Sequence, residues 1–255
     1  MRKKTDIVLP MDAYIESPKQ AHINDSAVAR LAADCMAGLG YEWPYEESPI
    51  DSSQAMNGGR YGVIDTSTAR KWGYHPPESP DDSESGNAGD EAKQSSAEIE
   101  AYTGRSAKTG KTLKGGTGGC AGRARSQIFG KDGLKPTLQY LLSYHENSFV
   151  VAGRDAEVRR AMSDWSTCMK GFGHDYKDMW EVNNDPQWQS AKPTAEEKRI
   201  AEEDVTCKQR SEVLSTLLHI ETSLQKSYIA DHGKQFTEIL KYKNSVDRRS
   251  RQVLS

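Results

Sequence analysis

The stretch Asp164-Trp165-Ser166-Thr167-Cys168-Met169-Lys170-Gly171-Phe172-Gly173-His174 reads as the end of a helix and its stop, and its outline recurs at Ala33-Asp34-Cys35-Met36-Ala37-Gly38-Leu39-Gly40-Tyr41. The shared pattern is C-M-x-G-[Leu/Phe]-G. A glycine just past a last helical turn takes the left-handed conformation with no Cβ clash, so each copy marks a helix terminus. Upstream of Cys168, Val158, Ala161, Met162 and Trp165 recur at three- and four-residue steps, with Phe172 beyond. Val28, Leu31, Ala32, Cys35 and Leu39 do the same in the first copy. That period is helical, and it puts both cysteines on apolar faces.

The remaining cysteines echo each other more faintly: Cys120-Ala121-Gly122-Arg123 against Cys207-Lys208-Gln209-Arg210, each with Arg three residues after Cys. The whole reads as an internal duplication. One helix-pair module is expected within residues 1–150 and a second within 151–255, the latter with a long C-terminal helix. No cysteine belongs to a C-x-x-C pair, so the usual zinc and thioredoxin-type spacings are absent. Four cysteines allow three pairings. The duplication favours Cys35–Cys120 and Cys168–Cys207, with buried free thiols and a metal site as the alternatives. Bridges imply an oxidising, extracytoplasmic compartment. The expected fold is all-α: duplicated helix-pair modules stapled by disulfides, with a long disordered insertion in the first copy.

The insertion is read from composition. Cys35 and Cys120 stand 85 residues apart whereas Cys168 and Cys207 stand 39 apart, and from Pro76 to Gly119 only Ile99, Tyr102 and Leu113 are large and apolar. Residues 76–116 therefore cannot bury enough surface to offset their chain entropy, except for a short helix near Asp90 to Tyr102. Within them Gly104-Arg105-Ser106-Ala107-Lys108-Thr109-Gly110-Lys111-Thr112 mimics a phosphate-binding loop, but five residues separate Gly104 from Gly110 where that motif needs four. It reads as linker.

In the second copy, Thr194-Ala195-Glu196-Glu197 is a capping box opening a helix whose seam carries Ile200, Cys207, Leu214, Leu217, Leu224 and Tyr228. Glu221 lies on that seam and Gln225 one turn on. A carboxylate there needs a partner, because burying it alone is costly. The expected partners are Arg123 or Arg210; the sharper reading makes Glu221 and Gln225 polar anchors of a ligand groove between helices. From Asp231 onward the period stays helical, then turns basic at Arg248-Arg249-Ser250-Arg251. That end is either solvated or attracted to anionic wall polymers or lipid headgroups.

Several segments carry a resemblance: Asp6-Ile7-Val8-Leu9-Pro10-Met11-Asp12-Ala13-Tyr14, Gly40-Tyr41-Glu42-Trp43-Pro44, Arg60-Tyr61-Gly62-Val63, Trp72-Gly73-Tyr74-His75-Pro76-Pro77, Gly118-Gly119-Cys120-Ala121-Gly122, Trp165-Ser166-Thr167-Cys168-Met169 and Ala201-Glu202-Glu203-Asp204-Val205-Thr206-Cys207. Together they resemble a group of exported actinobacterial proteins, often lipoproteins. The resemblance implies export or lipid anchoring and brings no catalytic residues. Met1-Arg2-Lys3-Lys4 looks like a basic n-region, but the following residues supply no apolar stretch, and no lipobox cysteine is read.

Composition narrows the role. The 34 Lys+Arg against 37 Asp+Glu leave a net charge of -3, which argues against a nucleic-acid partner. No run approaches the 18 apolar residues of a bilayer span. The six histidines show no H-E-x-x-H or other close ligand spacing, so no metal or other cofactor is expected. Trp180, Trp188 and Tyr74, with Tyr41 and Trp43, follow the glycine stops, where a helical scaffold presents ligand anchors or plugs its own ends. The expected role is non-catalytic binding or scaffolding at the cell envelope, with an envelope component or another exported protein as partner. The competing role is an exported enzyme or enzyme accessory with a site between the modules, in which Glu221, His219, Asp175 or His174 carries the chemistry.

Overall fold

The computed structural model describes residues 7–43, 45, 56–76, 94–113 and 118–255. About half of the expected disordered insertion, at 77–93 and 114–116, lies outside them. The described residues are all-helical. In chain order the helices are α1 (Pro18–Gly38), α2 (Thr66–Trp72), α3 (Ser96–Thr103), α4 (Gly119–Phe129), α5 (Pro136–Leu142), α6 (Tyr144–Ala152), α7 (Ala156–Gly171), α8 (Met179–Asn183), α9 (Ala195–Arg210), α10 (Val213–Asp231) and α11 (Gly233–Leu254). Short 3-10 turns at Pro10–Ala13 and Pro186–Trp188 complete the set. No described helix is long and apolar enough to cross a membrane.

The chain gathers into two compact units, and neither is contiguous. The first takes residues 1–13, 53–79 and 142–233; the second takes 14–52, 80–141 and 234–255. This differs from the expected division at residue 150. The reason is where side chains find partners: on α11, Ser250 Oγ donates to Asn24 Oδ1 of α1 at 2.7 Å, and Val246 packs with Ala27 and Ile128. The early segments around Leu9 and Tyr61, in turn, join the core of α7 to α10.

Each unit contains one stapled helix pair. Cys35–Cys120 joins α1 to α4, and Cys168–Cys207 joins α7 to α9. The two C-M-x-G-x-G stops also share one cap. Tyr41 N donates to Met36 O at 3.1 Å and Gly40 N to Ala37 O at 3.0 Å; His174 N donates to Met169 O at 3.0 Å and Gly173 N to Lys170 O at 3.0 Å. This pair of bonds is the Schellman motif, and it requires the left-handed glycine, φ 84° at Gly40 and 92° at Gly173. Met36 and Met169, next to the bridged cysteines, are both fully buried.

Two sequence readings need correction. The helix opened by Thr194 does not run on to Tyr228: it stops at Arg210, and α10 begins after Glu212, whose φ of 55° breaks the helical path. Ser211 satisfies the break, accepting from Val213 N at 3.3 Å, with no glycine or proline to announce it. Part of the expected insertion is also ordered. Ser95 and Glu98 form a capping box at the start of α3, Trp43 stacks on Tyr102 at 4.4 Å, and the backbones at Gly104 and Gly119 pack so closely that neither has room for a Cβ. Backbone approach and capping supply there what aliphatic burial does not. Leu39, expected on the apolar face of α1, is 54% exposed, while Ala27, Ala32, Ala33 and Met36 form that face.

Candidate functional site

Glu221 and Gln225 lie one turn apart on α10, both fully buried. Opposite them stand His145 and Ser148 of α6, Arg60 and Tyr61 of the 56–65 segment, and Met11 and Asp12 of the first 3-10 turn. Arg60 Nη1 pairs with Glu221 Oε1 at 3.1 Å, their side chains 6% and 0% exposed. Tyr61 donates its hydroxyl to Glu221 Oε2 at 2.6 Å, and Ser148 Oγ donates to Oε1 at 3.3 Å. The guanidinium also reaches His145 O at 3.2 Å and Glu146 Oε1 at 2.8 Å. Gln225 accepts from Met11 N at 2.9 Å and donates to Ser148 Oγ at 3.0 Å, which ties the N-terminal turn to α10. Asp12 completes the cluster, accepting from Leu9 N at 2.7 Å and Asn57 Nδ2 at 2.9 Å, with His145 Nε2 at 3.2 Å.

The partner of Glu221 is therefore Arg60, not Arg123 or Arg210. Arg123 instead points Nη2 at the first disulfide, 2.9 Å from Cys35 Sγ, and Arg210 sits over the Phe172 ring at 6.0 Å. Burial pushes the Glu221 carboxyl up, against the pull of Tyr61 and Arg60. Burial likewise pushes the Tyr61 phenol up, and its bond to Glu221 adds to this. At Asp12 burial raises the pKa too, but the hydrogen bonds from His145, Leu9 and Asn57 outweigh it, and the group lies below its usual range. Every oxygen of Glu221 is taken. A carboxylate bonded at both oxygens in this way holds three segments together.

A second buried cluster surrounds Asp204 of α9. Its Oδ1 accepts from Trp165 Nε1 at 2.9 Å and its Oδ2 from Lys208 Nζ at 2.9 Å, with Tyr74 OH at 3.4 Å. Lys208 Nζ also donates to Val63 O at 2.8 Å, so two of its three N–H donors are engaged. Nearby, the buried Glu197 Oε1 accepts from Tyr74 N at 2.7 Å and His75 N at 3.2 Å and meets His75 Nδ1 at 2.8 Å.

The aromatic candidates divide between these clusters as packing groups. Trp180 Nε1 donates to Arg60 O at 3.2 Å and its ring meets Phe149 edge-on at 5.5 Å. Trp188 is buried, donates to Val182 O at 2.6 Å and stacks on Tyr74 at 5.3 Å. Glu221, Gln225 and Trp180 thus share one cluster through Arg60, while Tyr74 and Trp188 belong to the other. His219 faces outward, His174 pairs with Glu203 at 2.8 Å and Asp175 with Lys170 at 3.1 Å. Among the described residues no group of three or more His, Cys, Asp or Glu could hold a metal ion.

The opening that sequence reasoning missed lies at the elbow between α9 and α10. A cavity of about 440 Å³ is lined there by Ile64, Lys208, Gln209, Glu212, Leu214, Ser215 and Leu218. Its walls are aliphatic. Lys208 has turned its ammonium to Asp204 and Val63, so Gln209, Glu212 and Ser215 supply the polar functions. The signal in the sequence was thin: Leu214 sat on the predicted seam, but Ser211-Glu212 carried no breaker.

Fold and site together define a class: an all-α protein of two discontinuous units, each with a disulfide-stapled helix pair, bearing an apolar cavity at a helix elbow. No protein-family model, curated protein or solved structure matches the chain.

Proposed function

We propose that the protein is a non-catalytic binding module acting outside the cytoplasm, at the cell envelope, and that the α9–α10 elbow is its ligand seat. The observation that carries this is the cavity itself. At about 440 Å³ it is of the size that small-ligand sites occupy, with Ile64, Leu214 and Leu218 as apolar lining beside the polar Gln209, Glu212 and Ser215. Glu212, held at a φ of 55°, stands at its edge; a left-handed backbone at a non-glycine residue costs roughly 1–2 kcal/mol, a strain that recurs at ligand sites. The fitting ligand has an apolar body and a neutral or cationic polar end, because Glu212 is the cavity's uncompensated charge. Two disulfides support an oxidising compartment. The matching caps after Met36 and Met169 support a duplicated origin for the stapled pairs.

The test is a titration with Nile red, a neutral apolar dye. The expected result is saturable fluorescence enhancement at one site, weakened at least tenfold by Ser215→Phe, which fills the cavity, with the helical signal and both bridges unchanged. Enhancement that does not saturate, or that survives Ser215→Phe, overturns the assignment.

A further inference from the structure

The net charge of -3 hides a local concentration of cations in the second unit. Residues 119–142 and 234–255 hold ten Lys and Arg against three Asp and Glu, so the remainder of the chain is acidic. Helix α11 buries Phe236, Ile239, Val246 and Ser250. Its opposite side carries Lys234, Lys241 and Arg248, all exposed and seven residues apart. At 1.5 Å rise per residue these cations follow one another along the axis at roughly 10 Å.

The strip continues onto α4. Arg249 Nε donates to Ile128 O at 2.5 Å and Tyr242 OH to Phe129 O at 3.1 Å, which fixes α11 against the C-terminal end of α4, where Arg125 and Lys131 are exposed. Among the described residues no carboxylate pairs with Lys234, Lys241, Arg248 or Lys131, whereas the neighbouring Arg251 is paired with Asp247 at 2.9 Å. Long side chains left unpaired in a row, on an acidic protein, form a one-sided field.

We infer that this strip is a docking track for a linear phosphodiester polymer. A membrane surface fits less well, because a helix lying in a headgroup layer turns large apolar residues toward it. Here Thr237, the exposed Glu238 and Asn244 lie between the cations, and Leu240 lies on the flank shared with Asp247. Nucleic acid fits less well too: no aromatic stands on the strip to stack bases, and the phenol of Tyr242 is committed to Phe129. A flexible chain of regularly repeated phosphates matches cations repeated along one axis.

The experiment uses the full, oxidised chain and purified poly(glycerol phosphate) as probe. The expected result is binding that weakens roughly twentyfold between 50 and 200 mM salt, because about three contacts release counterions. Lys234→Glu/Lys241→Glu/Arg248→Glu should weaken it at least tenfold, and the triple Gln variant should weaken it to a lesser degree. Reversal of three exposed cations of the first unit, Arg159, Arg160 and Lys226, should leave it within twofold. All variants are checked for native helicity. No binding by the wild type, a triple Glu variant within twofold of it, or tighter binding to phosphatidylglycerol vesicles or duplex DNA overturns the inference. The elbow cavity uses none of these residues, so either assignment can fail alone.

Discussion

Arg60 and Glu221 stand 161 residues apart in sequence and 3.1 Å apart in space, both buried, in a pair that locks the 56–65 segment onto α10. Removing one member leaves the other charged and desolvated, which costs more than the pair itself contributes. Arg60→Met should lower stability by about 3 to 5 kcal/mol, read as a shift of the urea midpoint at neutral pH. Replacing both partners, in Arg60→Met/Glu221→Gln, should recover part of that loss. An unshifted midpoint for Arg60→Met would show that the pair is idle.

The same cluster sets two opposite pH dependences. Asp12 lies below its ordinary 3.8, so the stability it contributes is present above that value and is lost as pH falls through its folded pKa. Glu221 lies above its ordinary 4.5, so its contribution is fully present below that value and is lost as pH rises through its folded pKa. The gap between wild type and Asp12→Asn should therefore close on acidification below about 3.8. Over the window above 4.5, acidification should move wild type the other way relative to Glu221→Gln, toward greater stability. Denaturant melts of the three proteins at stepped pH check both signs, and parallel curves would refute the cluster as drawn.

The bridges differ in the loop each closes, 85 residues for Cys35–Cys120 and 39 for Cys168–Cys207. Chain entropy puts each bridge at about 3 to 5 kcal/mol and the longer loop about 0.7 kcal/mol ahead. The double serine variant at Cys35 and Cys120 should thus cost slightly more than the one at Cys168 and Cys207. Non-reducing peptide maps should show these two linkages and no other; a Cys35–Cys168 peptide would contradict the stapled pairs.

Two glycines with positive φ separate crowding from backbone strain. Gly110, φ 69°, faces open space, and Gly119, φ 63°, lies against the carbonyls of Ala101 and Tyr102. Gly110→Ala should cost about 1 to 2 kcal/mol through conformation alone. Gly119→Ala should cost more, because α3 must move off α4 to admit the methyl group. Equal losses would mean that the close approach of α3 and α4 is absent in solution.

What the sequence showed and what it hid divide along the range of the forces involved. The caps at Gly40 and Gly173, the capping box at Thr194 and the bridges of Cys35 and Cys168 are set by residues within a few turns, or by a repeated motif, and were legible. The short helix at Ser96 was expected near Asp90 to Tyr102 but was placed inside a segment read as linker, because Gly104 and Gly119 stabilise by closeness and leave no apolar signature. Arg60 was invisible as the partner of Glu221, since nothing periodic links a loop residue to a helix so far along the chain. The elbow at Ser211-Glu212 was missed because an ordinary residue takes the left-handed turn there, and the cavity exists only because of that turn.

The most direct test of the proposed function is a methyl-labelled NMR titration with the apolar dye. The expected shifts are confined to Ile64, Leu214 and Leu218 and their neighbours and reach a plateau at one equivalent. Shifts centred instead on the exposed Leu240 and Leu254, or no shift at the three wall residues at saturating dye, would contradict the proposed function.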